Sequence, residues 1–164
     1  MNRPSLYGAF GDKREMYLTA VRMFAVESGR ALQQALEAPT LREALDAFYV
    51  RAIEDYVSGK EGPRGCLVIC TAVTEATGSP AIRSALAAIL TEIDSDVAVR
   101  IARAQAEEGC CKGGDAKVLA QVATSVLHSL AVRARAGARR CELVTIAHAA
   151  AELIAGRASG VEAP

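Results

Sequence analysis

Tryptophan is absent from the 164-residue chain, and aromatic residues make up only 4% of it. Strand-favouring side chains are sparse, while the helix formers Ala, Leu, Arg and Glu are abundant, so the whole chain is expected to be helical. No apolar run approaches the roughly 20 residues that cross a bilayer. The longest candidate, Cys66 to Val73, falls far short. No cationic-then-apolar leader opens the chain, so a cytoplasmic location without a membrane partner is expected. Charge of either sign is not in excess: Lys plus Arg and Asp plus Glu each count 19. A nucleic-acid partner would therefore need a local basic patch. The five cysteines are an odd number, which in a reducing cytosol reads as free thiols rather than a disulfide framework. The length suits one core, with room for a small appendage.

Catalytic signatures are missing too. There is no Gly-x-Ser-x-Gly elbow, no Walker loop and no dinucleotide glycine pattern, so neither an enzyme nor a cofactor is expected. Cys66 and Cys70 lie four apart, Cys110 and Cys111 share a Gly-rich loop with Lys112, and Cys141 stands near the start of the last helix. This is not the paired C-x-x-C spacing of a zinc module, and no metal site is expected. Cys110 and Cys111 are the candidate redox pair. A loop position beside Lys112 favours the thiolate, so they are expected to react before Cys66 and Cys70. His128 and His148 sit in apolar helical stretches and read as packed or half-exposed residues rather than ligands.

What is present is a series of helices with readable ends. Asn2 caps a short helix holding Leu6 and Phe10, which Gly11 ends. Asp12 caps the next, whose apolar series Met16, Ala20, Met23, Phe24 keeps helical spacing. Gly29 permits a break or bend before Leu32 and Leu36. After Pro39, Thr40 and Glu43 form a capping box for a helix carrying Leu41, Leu45, Phe48, Ala52 and Tyr56. Ser58 to Gly65 reads as a loop. Cys66 to Ala76, apolar nearly all round, reads as a short buried helix. Ser79 and Pro80 open a long helix from Ile82 to Ala104. Glu107 to Gly114 is the second loop. Asp115 caps a helix to about Arg135, ended by Gly137, and a last helix runs from about Ala138 to Ala155.

The last two helices carry apolar stripes wider than one contact face needs. Val118, Leu119, Val122, Val126, Leu127 and Leu130 cover one, and Leu143, Ile146, Ala147, Ala150, Leu153 and Ile154 the other. The simplest arrangement is an antiparallel pair that meets its copy across a two-fold axis as a four-helix bundle. Val122, Val126, Leu127, Leu130, Leu143, Ile146, Ala150 and Leu153 are the candidate interface. The alternative is a monomer whose alanine-rich face is merely exposed.

Asn2 to Lys13 (NRPSLYGAFGDK) resembles the end of the helix-turn-helix of tetracycline-repressor (TetR) family regulators: a polar cap, a short helix with Leu6-Tyr7 and Phe10, a Gly-Asp break, and Lys13 opening the next helix. Pro63 to Thr71 (PRGCLVICT) and Leu127 to Leu143 (LHSLAVRARAGARRCEL) resemble the regulatory domain of that family. The resemblance implies an all-α fold with a TetR-like C-terminal regulatory domain. Residues 1–12 would be a remnant of the head, 13–156 the ligand-binding and dimerisation domain, and 157–164 a tail.

It also implies partners and roles. Operator DNA would meet Arg3, Pro4 and Ser5 at base edges and Tyr7 and Lys13 at phosphates; otherwise Tyr7 and Lys13 are ordinary surface residues. A small apolar or amphipathic effector would bind around Phe48, Tyr49, Tyr56, Ile69, Val73, Ile89 and Ile93. The protein would be a homodimeric, ligand-responsive repressor. Two further helices would belong before Asn2, so the chain as written is not expected to bind an operator specifically, whereas a longer form would. A head-less dimerising or ligand-sequestering protein is the alternative.

Overall fold

A computed structural model describes residues 13–59, 62–111 and 114–156. Six helices make up the fold among these residues: α1 (Lys13–Ala35), α2 (Leu41–Val57), α3 (a π-helical turn, Val68–Ala72, continuing as Val73–Glu75), α4 (Pro80–Glu107), α5 (Ala116–Arg135) and α6 (Arg140–Ala155). The expected short helix at Asn2 to Phe10 lies outside the described residues.

Local chemistry sets the ends. The Thr40 hydroxyl accepts from the Glu43 amide, and Glu43 reaches back to the Thr40 amide, so two orphan N–H groups of α2 are satisfied. Ser79 caps α4 with Pro80 in its first turn, and Asp115 caps α5 through the Lys117 amide. One permitted break is not used, and one expectation fails. α1 runs through Gly29 without a break; one glycine costs a helix only about 1 kcal/mol. The Cys66 to Ala76 stretch is not buried all round, since Val73, Thr74 and Glu75 face outward.

α2 is the axis of the bundle and packs on α1, α4, α5 and α6. It buries Leu41, Leu45, Phe48, Tyr49 and Ile53, each worth roughly 1.5–3 kcal/mol relative to exposure. The Tyr49 hydroxyl donates to the Ala123 carbonyl of α5 at 3.0 Å, so its polar end is satisfied in the core. A larger core cluster joins α2 to α4, α5 and α6. A smaller one joins α1, α3 and the start of α4 through Leu18, Val21, Val68, Ala72, Ala76, Ile82 and Ile89. Cys66 and Ile93 pack against both clusters and mark the seam between them.

A buried arginine pins the α1–α2 corner. Arg100 of α4 is 3% exposed. It donates to the carbonyls of Leu36, Ala38 and Pro39 and pairs with Glu108 at 2.8 Å. Glu108 in turn accepts from the Leu41 amide at 2.8 Å. Partial burial works to raise the Glu108 carboxyl, but the Leu41 amide and the Arg100 guanidinium outweigh it and hold it below its ordinary value. No helix among the described residues is long and apolar enough to cross a membrane.

Candidate functional site

The seam between the two clusters is imperfectly filled. An apolar cavity of about 40 Å³ opens there, walled by Phe24, Ala25, Ser28, Gly29 and Leu32 of α1 and Ala52, Asp55 and Tyr56 of α2. Cys66 and α3 residues Val68 and Ile69, α4 residues Ile89, Leu90 and Ile93, and α5 residues Leu127 and His128 complete it. The volume is well below the roughly 300–1,000 Å³ usual for ligand sites. It still exceeds the roughly 10–15 Å³ that one water needs. Beside it lies a wider groove of about 470 Å³, lined among others by Phe24, Glu27, Arg51, Arg64, Leu67 and Arg135. Phe24, Ser28 and Asp55 line both spaces, so Phe24 is the largest side chain between them.

Four of the seven expected effector residues, Tyr56, Ile69, Ile89 and Ile93, line the cavity. Phe48 and Tyr49 instead fill the core, 5.5 Å apart edge to face, and Val73 is half exposed on the outside. Sequence reading missed the contribution of α1, because between Phe24 and Leu32 its cavity face carries small and polar residues, Ala25, Ser28 and Gly29, that look like a solvent face.

Burial pushes the Tyr56 hydroxyl and the Cys66 thiol up from their ordinary values, so both stay protonated. Asp55 holds Arg51 at 3.1 Å. His128 is different. Burial lowers its pKa despite the opposing charge of Asp94, which leaves the ring neutral, and its Nε2 is buried without a partner.

Gly65 brings the α2–α3 loop against α5. It has φ +62°, and a Cβ there would stand 2.8 Å from the Cys70 sulfur and 2.9 Å from the Ala131 carbonyl. Its amide donates to the Tyr56 carbonyl at 3.0 Å, while Arg135 holds the Arg64 carbonyl at 3.0 Å.

The expected interface residues separate into two groups. Leu127, Leu130, Leu143 and Ala150 are buried inside one chain, so they belong to its own core, and Leu127 lines the cavity. Val126 and Ile146 are half-buried. Val122 is 49% exposed and Leu153 is 82% exposed. With Val118 and Val132 they leave an apolar outer face on α5 and α6.

Of the expected DNA contacts, Arg3, Pro4, Ser5 and Tyr7 lie outside the described residues, and Lys13 is exposed at the start of α1. Cys110 and Cys111 are half-buried, and Cys111 donates to the Ile154 carbonyl at 2.7 Å. Burial and the neighbouring Cys110 push the Cys111 thiol up to about 11. That is opposite to the activation expected of this loop; Lys112 itself lies outside the described residues. Cys141 is the exposed thiol.

This geometry has close relatives among solved structures, although no curated protein sequence matches the chain. A cysteine mutant of the TetR family transcriptional regulator CifR, complexed with 26-bp double-strand operator DNA, is 30% identical. The match has a TM-score of 0.82 and covers 93% of this chain and 79% of that one. A TetR transcriptional regulator from Rhodococcus sp. RHA1 is 29% identical over 94% of this chain and 82% of that one, with a TM-score of 0.67. The reduced form of Escherichia coli NemR, at 18% identity, shares the fold with a TM-score of 0.79 over 97% of this chain and 82% of that one. The family model "Tetracyclin repressor-like, C-terminal domain" matches residues 42–150. The chain therefore belongs to the tetracyclin repressor-like family of transcriptional regulators.

Proposed function

We propose that the described helices are the regulatory and dimerising part of a ligand-responsive transcriptional repressor. The observation that carries this reading is the apolar cavity at the seam of the two core clusters. One of its walls is α1, the helix that follows residues 1–12, where the resemblance puts the DNA-reading helix. A small apolar or amphipathic effector entering the cavity pushes α1 outward. At about 40 Å³ the cavity corresponds to a closed state; turning Phe24 toward the neighbouring groove enlarges it. In a dimer, movement of α1 changes the spacing of the two heads. That is allostery by differential affinity of the effector for two dimer states.

The outer face of α5 and α6 supports a second copy as the dimer partner. Val118, Val122, Val132 and Leu153 leave apolar surface that an antiparallel helix pair from the copy covers as a four-helix bundle. DNA binding falls to the head that the resemblance implies; the CifR mutant to which this chain is similar is complexed with operator DNA.

The test is a fluorescence-anisotropy titration on DNA flanking the protein's own gene, using a form with the helices that the resemblance implies before Asn2. An apolar dye is added as a surrogate effector. Release of the DNA as the dye saturates is the expected outcome. Undiminished DNA affinity at saturating dye removes ligand control from the reading.

A further inference from the structure

The polar side chains lining the inner cavity are Ser28, Asp55, Tyr56, Cys66 and His128. Asp55 holds Arg51, and burial keeps the Tyr56 hydroxyl and the Cys66 thiol protonated. His128 Nε2 is left buried with no hydrogen-bond partner. An orphaned buried nitrogen costs the folded state what a hydrogen bond would have returned, and native proteins seldom keep one without a use. His128, on α5, lines a mostly apolar cavity that the small residues Ala25, Ser28 and Gly29 of α1 also line.

We infer that His128 is the recognition point for the effector, which is an otherwise apolar molecule carrying a single uncharged hydrogen-bonding group such as a hydroxyl or a carbonyl. This rests on the cavity being the effector site and adds the chemical class that it selects. The imidazole is neutral, because burial outweighs the attraction of Asp94. Its Nε2 accepts from a hydroxyl in one tautomer and donates to a carbonyl in the other. A fully apolar ligand would leave it unpaired. A carboxylate would lose its hydration against walls made of Ile, Leu, Val and Phe, without a cation to pair with on the inner surface.

Phenol and toluene are the probes, since they differ by a hydroxyl in place of a methyl. Their affinities are read from amide chemical shifts on titration into the unmodified chain and into His128→Leu and His128→Gln. The expected result is binding of both probes to the unmodified chain. In His128→Leu, phenol binds about ten-fold more weakly while toluene is unchanged or tighter, the loss expected for one net hydrogen bond. His128→Gln, which keeps a polar amide, recovers part of the phenol affinity. If toluene binds but His128→Leu weakens both probes equally, the role of His128 falls and the cavity stands as the effector site. If neither probe binds the unmodified chain, the cavity itself is not a ligand site and this inference falls with it. Circular dichroism of both variants separates loss of recognition from loss of fold.

Discussion

Arg100 and Glu108 hold a corner of the protein through one buried cation. Removing the carboxylate in Glu108→Ala leaves Arg100 with only carbonyl partners and frees the Leu41 amide. A loss of about 2–3 kcal/mol is expected, checked by urea denaturation at neutral pH. The same pair sets a pH dependence. Glu108 is held below its ordinary value of about 4.5 in the folded chain. Its contribution is therefore complete above that value and is lost as pH falls through the lower folded pKa. The difference between the two proteins should shrink as pH falls below 4.5; a difference constant with pH contradicts the ion pair. Gly65→Ala tests a backbone constraint. At φ +62° and with a sulfur 2.8 Å from the new Cβ, it should lower stability by about 2–3 kcal/mol. Among the cysteines, alkylation mapped by mass spectrometry should reach exposed Cys141 first. Cys111, protonated and bonded to Ile154, should react later. Labelling of Cys111 ahead of Cys141 counts against the hydrogen bond.

At the scale of the element, α1 shows how a helix can stay continuous through a glycine. Gly29 sits in its middle with open space where a Cβ would stand. Gly29→Ala should raise stability by about 0.5–1 kcal/mol, the helix-propensity difference, because nothing obstructs the methyl group. The same methyl intrudes on the cavity that Gly29 lines, so weaker binding of apolar probes should accompany the gain. Thermal unfolding and a probe titration on one sample check both. α2 depends on its cap: Thr40→Ala removes the acceptor for the Glu43 amide and should cost about 1 kcal/mol. α3 has no such cap. Its π-helical turn passes the chain between the loop at Gly65 and the start of α4, and its outward Val73 shows that a nearly all-apolar run need not be buried on every side.

For the whole molecule, the decisive division is between the inner and outer faces of α5 and α6. Val122→Glu or Leu153→Glu puts a charge on the outer face. Either should give a folded monomer, whereas Leu127→Glu buries an unpaired charge in the core and should unfold the chain. Sedimentation with circular dichroism distinguishes the three. A monomeric unmodified chain at micromolar concentration excludes the dimer.

The amino-acid sequence by itself determined the helical class and most helix ends, because those signals are local. Thr40 with Glu43, Ser79 with Pro80, Asp115, and Gly137 at φ +92° act within a turn or two of their own position. It also carried the family resemblance, in short continuous stretches of sequence. Only the tertiary structure decided which residues of a wide stripe face inward. Leu127 and Val122 lie in one apolar run, yet one is 2% exposed and the other 49%. Helical periodicity states that a face is apolar and not which neighbour covers it. The same limit hid the cavity, whose walls come from five helices and include the unremarkable Ser28 and Gly29. It hid Arg100 as well, since an arginine in sequence looks solvated until three carbonyls and a carboxylate from distant segments converge on it.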